Sequence, residues 1–484
     1  MTTSVSTERS TDPSATDLVS ALTRLFAAGQ AATDAPTLAT HSHDDAEWAA
    51  YEPPIAVVFA ESTGDVVTAV RFAADRGIRV VPRGAGTGLS GGANSVANCI
   101  VVSLERMSAI LEVDTDERLA VAQAGVINDT LRAEVAKSGL WYPPDPASSA
   151  ISSIGGNAAT NAGGICCVKY GVTRDYVLGL TVVLADASVV RLGHRTAKGV
   201  TGYDLTGLMV GSEGTLGIIT EVTVRLLPLA GREERAVIGY FPSLVAAGDA
   251  VAAVSRAGIV PAALELIDST CIAAVEAWQG LGLPDGVDPA QVNTLLLAKV
   301  DERGEAGDES ADEIAAIFAA AGGSRVERAT EKADVDRLFL TRRLAYPALE
   351  RLGPVLTEDI CVPRGQVPEM LARIQASAAS HDVVIANIAH AGDGNLHPLI
   401  IAPEDDPAAK ERARIAFEEI IANCLALGGT VSGEHGVGLL KLPGAATELG
   451  PRVVDLHRSI KAALDPAGTL NPGKAFPAAP LTRT

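Results

Sequence analysis

Three short glycine-rich windows, Gly84–Gly92, Gly155–Gly164 and Gly211–Gly217, constrain this chain more than any other feature. Glycine tolerates positive φ and lets other groups approach its backbone, so a loop of glycines can aim amide N–H groups at an anion. One such loop is an ordinary tight turn. Three, in one region where strands and helices mix, point to a phosphate-bearing cofactor.

The first window contains Gly86-Thr87-Gly88-Leu89-Ser90-Gly91, a GxGxxG string after a strand, with Glu105 about 20 residues on. A dinucleotide-binding βαβ unit also needs a helix after the third glycine. Here the next strand begins at about Cys99, which leaves no room for that crossover helix. No GxxxxGK[ST] string occurs either. The loop is therefore expected to hold its anion between two strands, through backbone amides.

Composition narrows the class. A chain of 484 residues suggests about three domains. Apolar residues make up 47% but aromatics only 4%, so Ala, Val and Leu must fill the cores. A net charge of −20 argues against nucleic acid or an anionic membrane as the main partner. The longest uncharged stretch, Pro146 to Val168, is rich in Ser, Asn and Gly and unsuited to crossing a bilayer. The first residues, Met1 to Asp17, lack the apolar run of a secretory signal. Six cysteines without a CxxC fit reduced thiols and contain no iron–sulfur ligand set. A cytoplasmic protein with no integral membrane segment is expected.

Along the chain, residues 1–50 form a polar segment with one amphipathic helix near Asp17–Ala28. Residues 51–229 read as mixed α and β, with a hairpin over Val177–Arg191 and a long strand over Gly217–Leu226. Residues 230–430 alternate strand-like and helical runs, as in an α+β domain around its own sheet. The apolar run Val355–Val362 reads there as a single strand, and Ala311–Ala321 as a helix. Residues 431–484 return to Gly- and Pro-rich loops around one helix.

The loops resemble a known family. Pro82-Arg83-Gly84-Ala85-Gly86-Thr87-Gly88-Leu89-Ser90 looks like the first flavin loop of the vanillyl-alcohol-oxidase type of FAD proteins, the PCMH-type FAD-binding fold. Pro144-Asp145, Gly155-Gly156-Asn157, Asn161 and Gly163-Gly164 are similar to its second loop. Glu213, Gly214, Gly217 and Ile218 are similar to its third, and Asn471 to a tail segment that returns to the flavin. The nearest branch holds glycolate oxidase catalytic subunits, FAD-linked D-lactate dehydrogenases and D-2-hydroxyglutarate dehydrogenases. The resemblance implies an α+β protein: a two-subdomain FAD-binding domain, a ferredoxin-like substrate or cap domain and a C-terminal helical segment. Some relatives attach flavin through a histidine in the first loop. Thr87 stands here with no histidine nearby, which implies non-covalent FAD.

Of eight histidines, His390 and His397 stand apart. They flank Asp393-Gly394, a type I′ hairpin signal. That turn would place Gly392 opposite Asn395 and His390 directly opposite His397, close enough to share a divalent metal. The plainer alternative is a pair of stacked imidazoles. Glu434 offers a third ligand, and two His with one carboxylate suit Zn²⁺, Mn²⁺ or Fe²⁺. In extended backbone Glu434 and His435 would point to opposite sides.

The resemblance places His390, His397 and Glu434 on the branch's metal motif and His435 where it has its general base. Phe339-Leu340-Thr341-Arg342 resembles its aromatic-x-x-Arg segment, whose arginine grips the substrate carboxylate. The implied reaction is oxidation of a small D-2-hydroxy acid, with quinone, electron-transfer flavoprotein or a partner subunit as electron acceptor. Thr357 falls where the 2-hydroxyglutarate branch carries a Lys for the distal carboxylate, which favours D-lactate or glycolate. The alternatives are an alkyl-transfer synthase on the same fold, a D-2-hydroxyglutarate dehydrogenase and a flavin subunit that works only inside a larger oxidase.

Overall fold

The computed structural model describes residues 15–477, apart from 230, 232, 281–291, 330, 404 and 405. Among the described residues three large sheets carry the fold, beside a two-stranded pair of Leu140–Trp141 and Leu227–Pro228. Strands Ala56–Phe59, Cys99–Ser103 and Arg79–Arg83 pair in parallel, and Ala31–Ala32 closes the far edge. Ala56–Phe59 and Cys99–Ser103 are buried along their whole length, as expected for parallel strands covered on both faces. The helix Thr63–Ala74 packs here and begins in a capping box made by Ser62 and Asp65.

The second sheet is antiparallel, in the order Ile110–Asp114, Leu119–Gln123, Ile218–Arg225, Val177–Val183, Val189–Gly193. The hairpin expected at Asp186-Ala187 is present, with Ala187 at φ 63°. The N-terminal helix covers Ala15–Thr23, shorter than its apolar pattern suggests.

The third sheet runs Arg325–Ala329, Arg235–Phe241, Thr294–Val300, Ala263–Asp268, Val384–His390, Asn395–Ile401, Val355–Thr357. Its first four strands, numbered by chain position, lie in the order 4-1-3-2 of a split βαβ (ferredoxin-like) unit. The last three repeat the 2-3-1 part of that order and extend the sheet. Side chains alternate across it. Val237, Leu264, Leu266 and Leu296 face one core, under the helices Leu244–Ala257 and Val367–His381. Ala236, Ile238, Ala263, Ile267 and Ile388 face the other, toward Ser269–Gln279 and Lys332–Glu350. By the same alternation Glu265, His390 and His397 lie on this second face.

Three expectations need correction. The run Val355–Val362 is two short strands, Val355–Thr357 and Ile360–Cys361, interrupted at Glu358-Asp359 because both acids are fully buried on polar partners. The helix read from Ala311 starts earlier, at Gly304. The hairpin after His390 has a four-residue loop: His390 pairs with Asn395, and Ile388 with His397. Only Gly394 of the expected turn takes positive φ, whereas type I′ needs it at both central residues. The loop bonds outward instead, through Gly392 N–H to Leu264 O (3.0 Å) and Val362 N–H to Gly394 O (3.0 Å). The register is thus slipped by two residues from the expected one. An even slip keeps every side chain on its face.

The helix expected in the C-terminal stretch covers Leu442–Leu464 and is kinked at Gly450 before Pro451. Beyond it the chain returns to the parallel sheet, where Asn471 N–H donates to Val80 O (2.8 Å).

Candidate active site

A cavity of about 430 Å³ lies where the three glycine loops meet the second face of the large sheet. Residues 82–90 line it, as do Gly155, Gly156, Asn157, Gly163, Glu213, Gly214, Gly217 and Ile218. Arg342, His390, His397, Glu434 and His435 line it from the opposite side. Tertiary folding thus brings loops from the first half of the chain against side chains from the second.

Five residues expected to contact the cofactor do not line the cavity; they shape the loops. Asn128 Nδ2 donates to Pro144 O (3.2 Å), and the Asp145 carboxylate accepts from Cys166 N (3.1 Å). Asn161 ends a short helix at φ 56° and accepts from Arg174 N (2.9 Å). Gly164 packs against the Asp145 backbone, where a Cβ would lie 2.4 Å from Asp145 O. Asn471 Nδ2 donates to Gly92 O (2.9 Å) and Glu213 O (2.6 Å), which ties the first loop to the third.

Two lining residues also brace the site. Arg83 donates to His43 O (2.5 Å) and lies beneath Gly86. The Glu213 carboxylate accepts from Val437 N and Gly438 N, each at 2.8 Å, and so fixes the chain just after His435.

His390 Nε2 and His397 Nε2 approach Glu434 Oε1 at 3.1 and 3.3 Å, and one ligand atom from each of the three residues lies within 4.8 Å of the others. The histidines are diagonal neighbours on one sheet face, edge to face at 5.2 Å. The donor set fits a divalent ion: two imidazoles and a carboxylate converge on one spot, and the far nitrogen of His390 is anchored on a buried acid. A second grouping, Asp359 with His397 and His435, also has converging atoms. Asp359 is committed elsewhere, since its oxygens accept from Asn395 Nδ2 (2.9 Å), Ser432 Oγ (2.8 Å) and His435 N (2.8 Å).

Those bonds explain why Glu434 and His435 do not point to opposite sides. Residues 432–435 wrap around Asp359, which Lys441 neutralises at 3.3 Å, so the backbone is not extended. His435 reaches the same cavity and stacks on His397 at 4.8 Å, with ring planes 14° apart. Its Nδ1 is buried without a partner. Burial pushes the imidazole down to about 4, against the pull of the Asp359 carboxylate, so it is neutral near pH 7.

Arg342 is buried on the helix Lys332–Glu350, and its Nε lies 2.8 Å from Glu265 Oε2 in a close ion pair whose N–H is not aligned for a hydrogen bond. Arg343 and Tyr346 share that wall of the cavity, with Thr357, Ile388 and Leu399 on the sheet beside them.

The sequence reading missed Glu265, Asp359 and Lys441. A signal was present: Glu265 is the acid inside the apolar run Ala262–Ile267, and Asp359 follows Glu358 inside another. An ionisable residue in a buried strand needs a partner.

The class that this cavity and fold define is a flavin-dependent oxidoreductase. The chain belongs to the FAD-linked oxidases: residues 232–475 match the family "FAD linked oxidases, C-terminal domain", and residues 54–193 match "FAD binding domain". It is 40% identical over 425 residues to the glycolate oxidase subunit GlcD of Bacillus subtilis (strain 168), covering 87% of this chain and 89% of that protein. It is 37% identical over 420 residues to a D-lactate dehydrogenase of Archaeoglobus fulgidus, covering 86% and 90%. Among solved structures, 4-ethylphenol oxidase from Gulosibacter chungangensis has the same fold, with a TM-score of 0.78, 21% identity, and 96% and 97% of the two chains covered. Among the described residues no helix is long and apolar enough to cross a membrane.

Proposed function

We propose that this chain oxidises a short D-2-hydroxy acid of the D-lactate or glycolate class to the 2-oxo acid. The observation that carries this reading is the convergence of Arg342, His435 and the His390/His397/Glu434 cluster on the cavity that the three flavin loops line. FAD, held non-covalently by residues of the three loops, supplies the acceptor for the Cα hydride. A divalent ion (Zn²⁺, Mn²⁺ or Fe²⁺) held by His390, His397 and Glu434 supplies a Lewis acid to the substrate hydroxyl. Arg342 takes the substrate carboxylate with its terminal nitrogens, because its Nε is occupied by Glu265. His435 removes the hydroxyl proton. Its Nδ1 is shut away, which leaves Nε2, 3.7 Å from Glu434 Oε1, to face the substrate. Burial keeps that imidazole neutral, and the Asp359 carboxylate beside it favours the imidazolium that forms when it takes the proton.

An anaerobic screen of D- and L-2-hydroxy acids, followed by loss of the oxidised flavin spectrum, tests the reading. D-lactate or glycolate should bleach the flavin, and bleaching by neither overturns it. A second reading has support from the name of a 40% identical relative, a glycolate oxidase subunit: the chain is the catalytic flavin subunit of a larger oxidase. In that case the purified chain is reduced by substrate but turns over with an added acceptor only when partner subunits are present.

A further inference from the structure

Glu265 belongs to a central strand, Ala263–Asp268, and is fully buried. It does not line the cavity. An ionised carboxylate so placed carries a large desolvation cost unless cationic or hydrogen-bond donors surround it. Two groups do so, from different elements. His390 Nδ1, on the neighbouring strand, lies 2.9 and 3.0 Å from its two oxygens. Arg342 Nε, on the covering helix, lies 2.8 Å away. Both of these residues turn their other ends into the cavity.

We infer that Glu265 is a positioning residue that sets two working groups at once, the metal-binding nitrogen of His390 and the carboxylate-binding end of Arg342. The inference rests on the functional reading above and deepens it. A carboxylate only accepts hydrogen bonds, so it places the proton of His390 on Nδ1 and leaves the Nε2 lone pair for a metal. The same charge draws the Arg342 guanidinium by its Nε and leaves the terminal nitrogens toward the substrate. One buried acid therefore ties the hydroxyl-binding group of the site to its carboxylate-binding group.

Glu265→Gln separates this role from simple packing. The amide keeps the volume but can donate to His390 Nδ1, which favours the Nε2–H tautomer that cannot ligate a metal. It also removes the charge that faces Arg342. Zn²⁺ affinity of the metal-stripped FAD protein, measured against a competing chelator, should fall by about 10–100-fold. The kcat/KM ratio of D-lactate over its neutral amide, D-lactamide, should fall about tenfold or more. The flavin spectrum should be unchanged. A lower Tm with both readouts at wild-type values shows a packing role only and overturns the inference. Loss of Zn²⁺ affinity with an unchanged ratio also overturns it, since Glu265 then serves His390 alone. Should Glu265→Gln fail to fold, Glu265→Asp carries the test. A carboxylate drawn back by one methylene cannot stay close to both partners, so both readouts at wild-type values overturn the inference there too. Wild-type protein that takes up no Zn²⁺ refutes the metal reading itself, and this inference with it. Equal uptake by wild type and Glu265→Gln refutes this inference alone.

Discussion

Thr87 lines the cavity from the first glycine loop, where the proposed function has FAD held without a covalent bond. The expected outcome is that acid precipitation of the yellow protein releases FAD into the supernatant, and flavin retained in the pellet would contradict it. Gly163 illustrates a second single-residue constraint. A Cβ there would lie 2.3 Å from Glu434 Oε2 and 3.0 Å from Glu434 Cβ, so the second flavin loop leans directly on the proposed metal ligand. Gly163→Ala should displace Glu434 and lower metal content, read by elemental analysis. Full occupancy in that variant would mean the carboxylate can move aside.

At the scale of elements, the hairpin Val384–Ile401 and the loop 432–436 share the work. His390→Ala or Glu434→Ala should abolish bound metal while leaving the FAD spectrum nearly intact, because neither belongs to a glycine loop. Metal retained in both variants would exclude the three-ligand site. His435→Asn should keep both cofactors yet slow flavin reduction about 10²-fold or more in stopped flow, the usual scale for loss of a general base. The loop itself depends on Asp359, whose carboxylate holds the backbone of Glu434 and His435 and pairs with buried Lys441. Asp359→Asn leaves that ammonium only the more distant buried acid Glu358, at 3.9 Å, and takes the charge from the acceptor of two amides, so it should destabilise the protein by about 3 kcal/mol in urea unfolding.

For the whole molecule, substrate choice follows from which residues the packing turns into the cavity. Thr357, Ile388 and Leu399 line it, while Glu358 and Asp359 point away to Lys441. The sheet side of the cavity thus offers one hydroxyl and two aliphatic side chains and no lysine, and the further cation on that wall, Arg343, comes from the helix beside Arg342. Measured kcat/KM should favour D-lactate and glycolate over D-2-hydroxyglutarate, and the reverse preference would refute the assignment.

What the sequence determined alone was whatever depends on local spacing. The glycine windows marked the three loops that line the cavity, and the period-2 alternation of strands put His390 and His397 on one face, a result that survived a two-residue error in register. The tertiary structure decided the rest, because each remaining feature depends on groups distant along the chain. The hairpin loop grew to four residues because Leu264 and Val362 bond its backbone. Glu434 and His435 came to share a cavity because Asp359, on another element, gathers their amides. Glu265 gained its meaning only when strand Ala263–Asp268 paired beside His390 and the helix bearing Arg342 covered it. Local periodicity fixes which face a side chain occupies; which buried charge meets which partner is set by long-range pairing, where the cost of leaving a charge unpaired selects the arrangement.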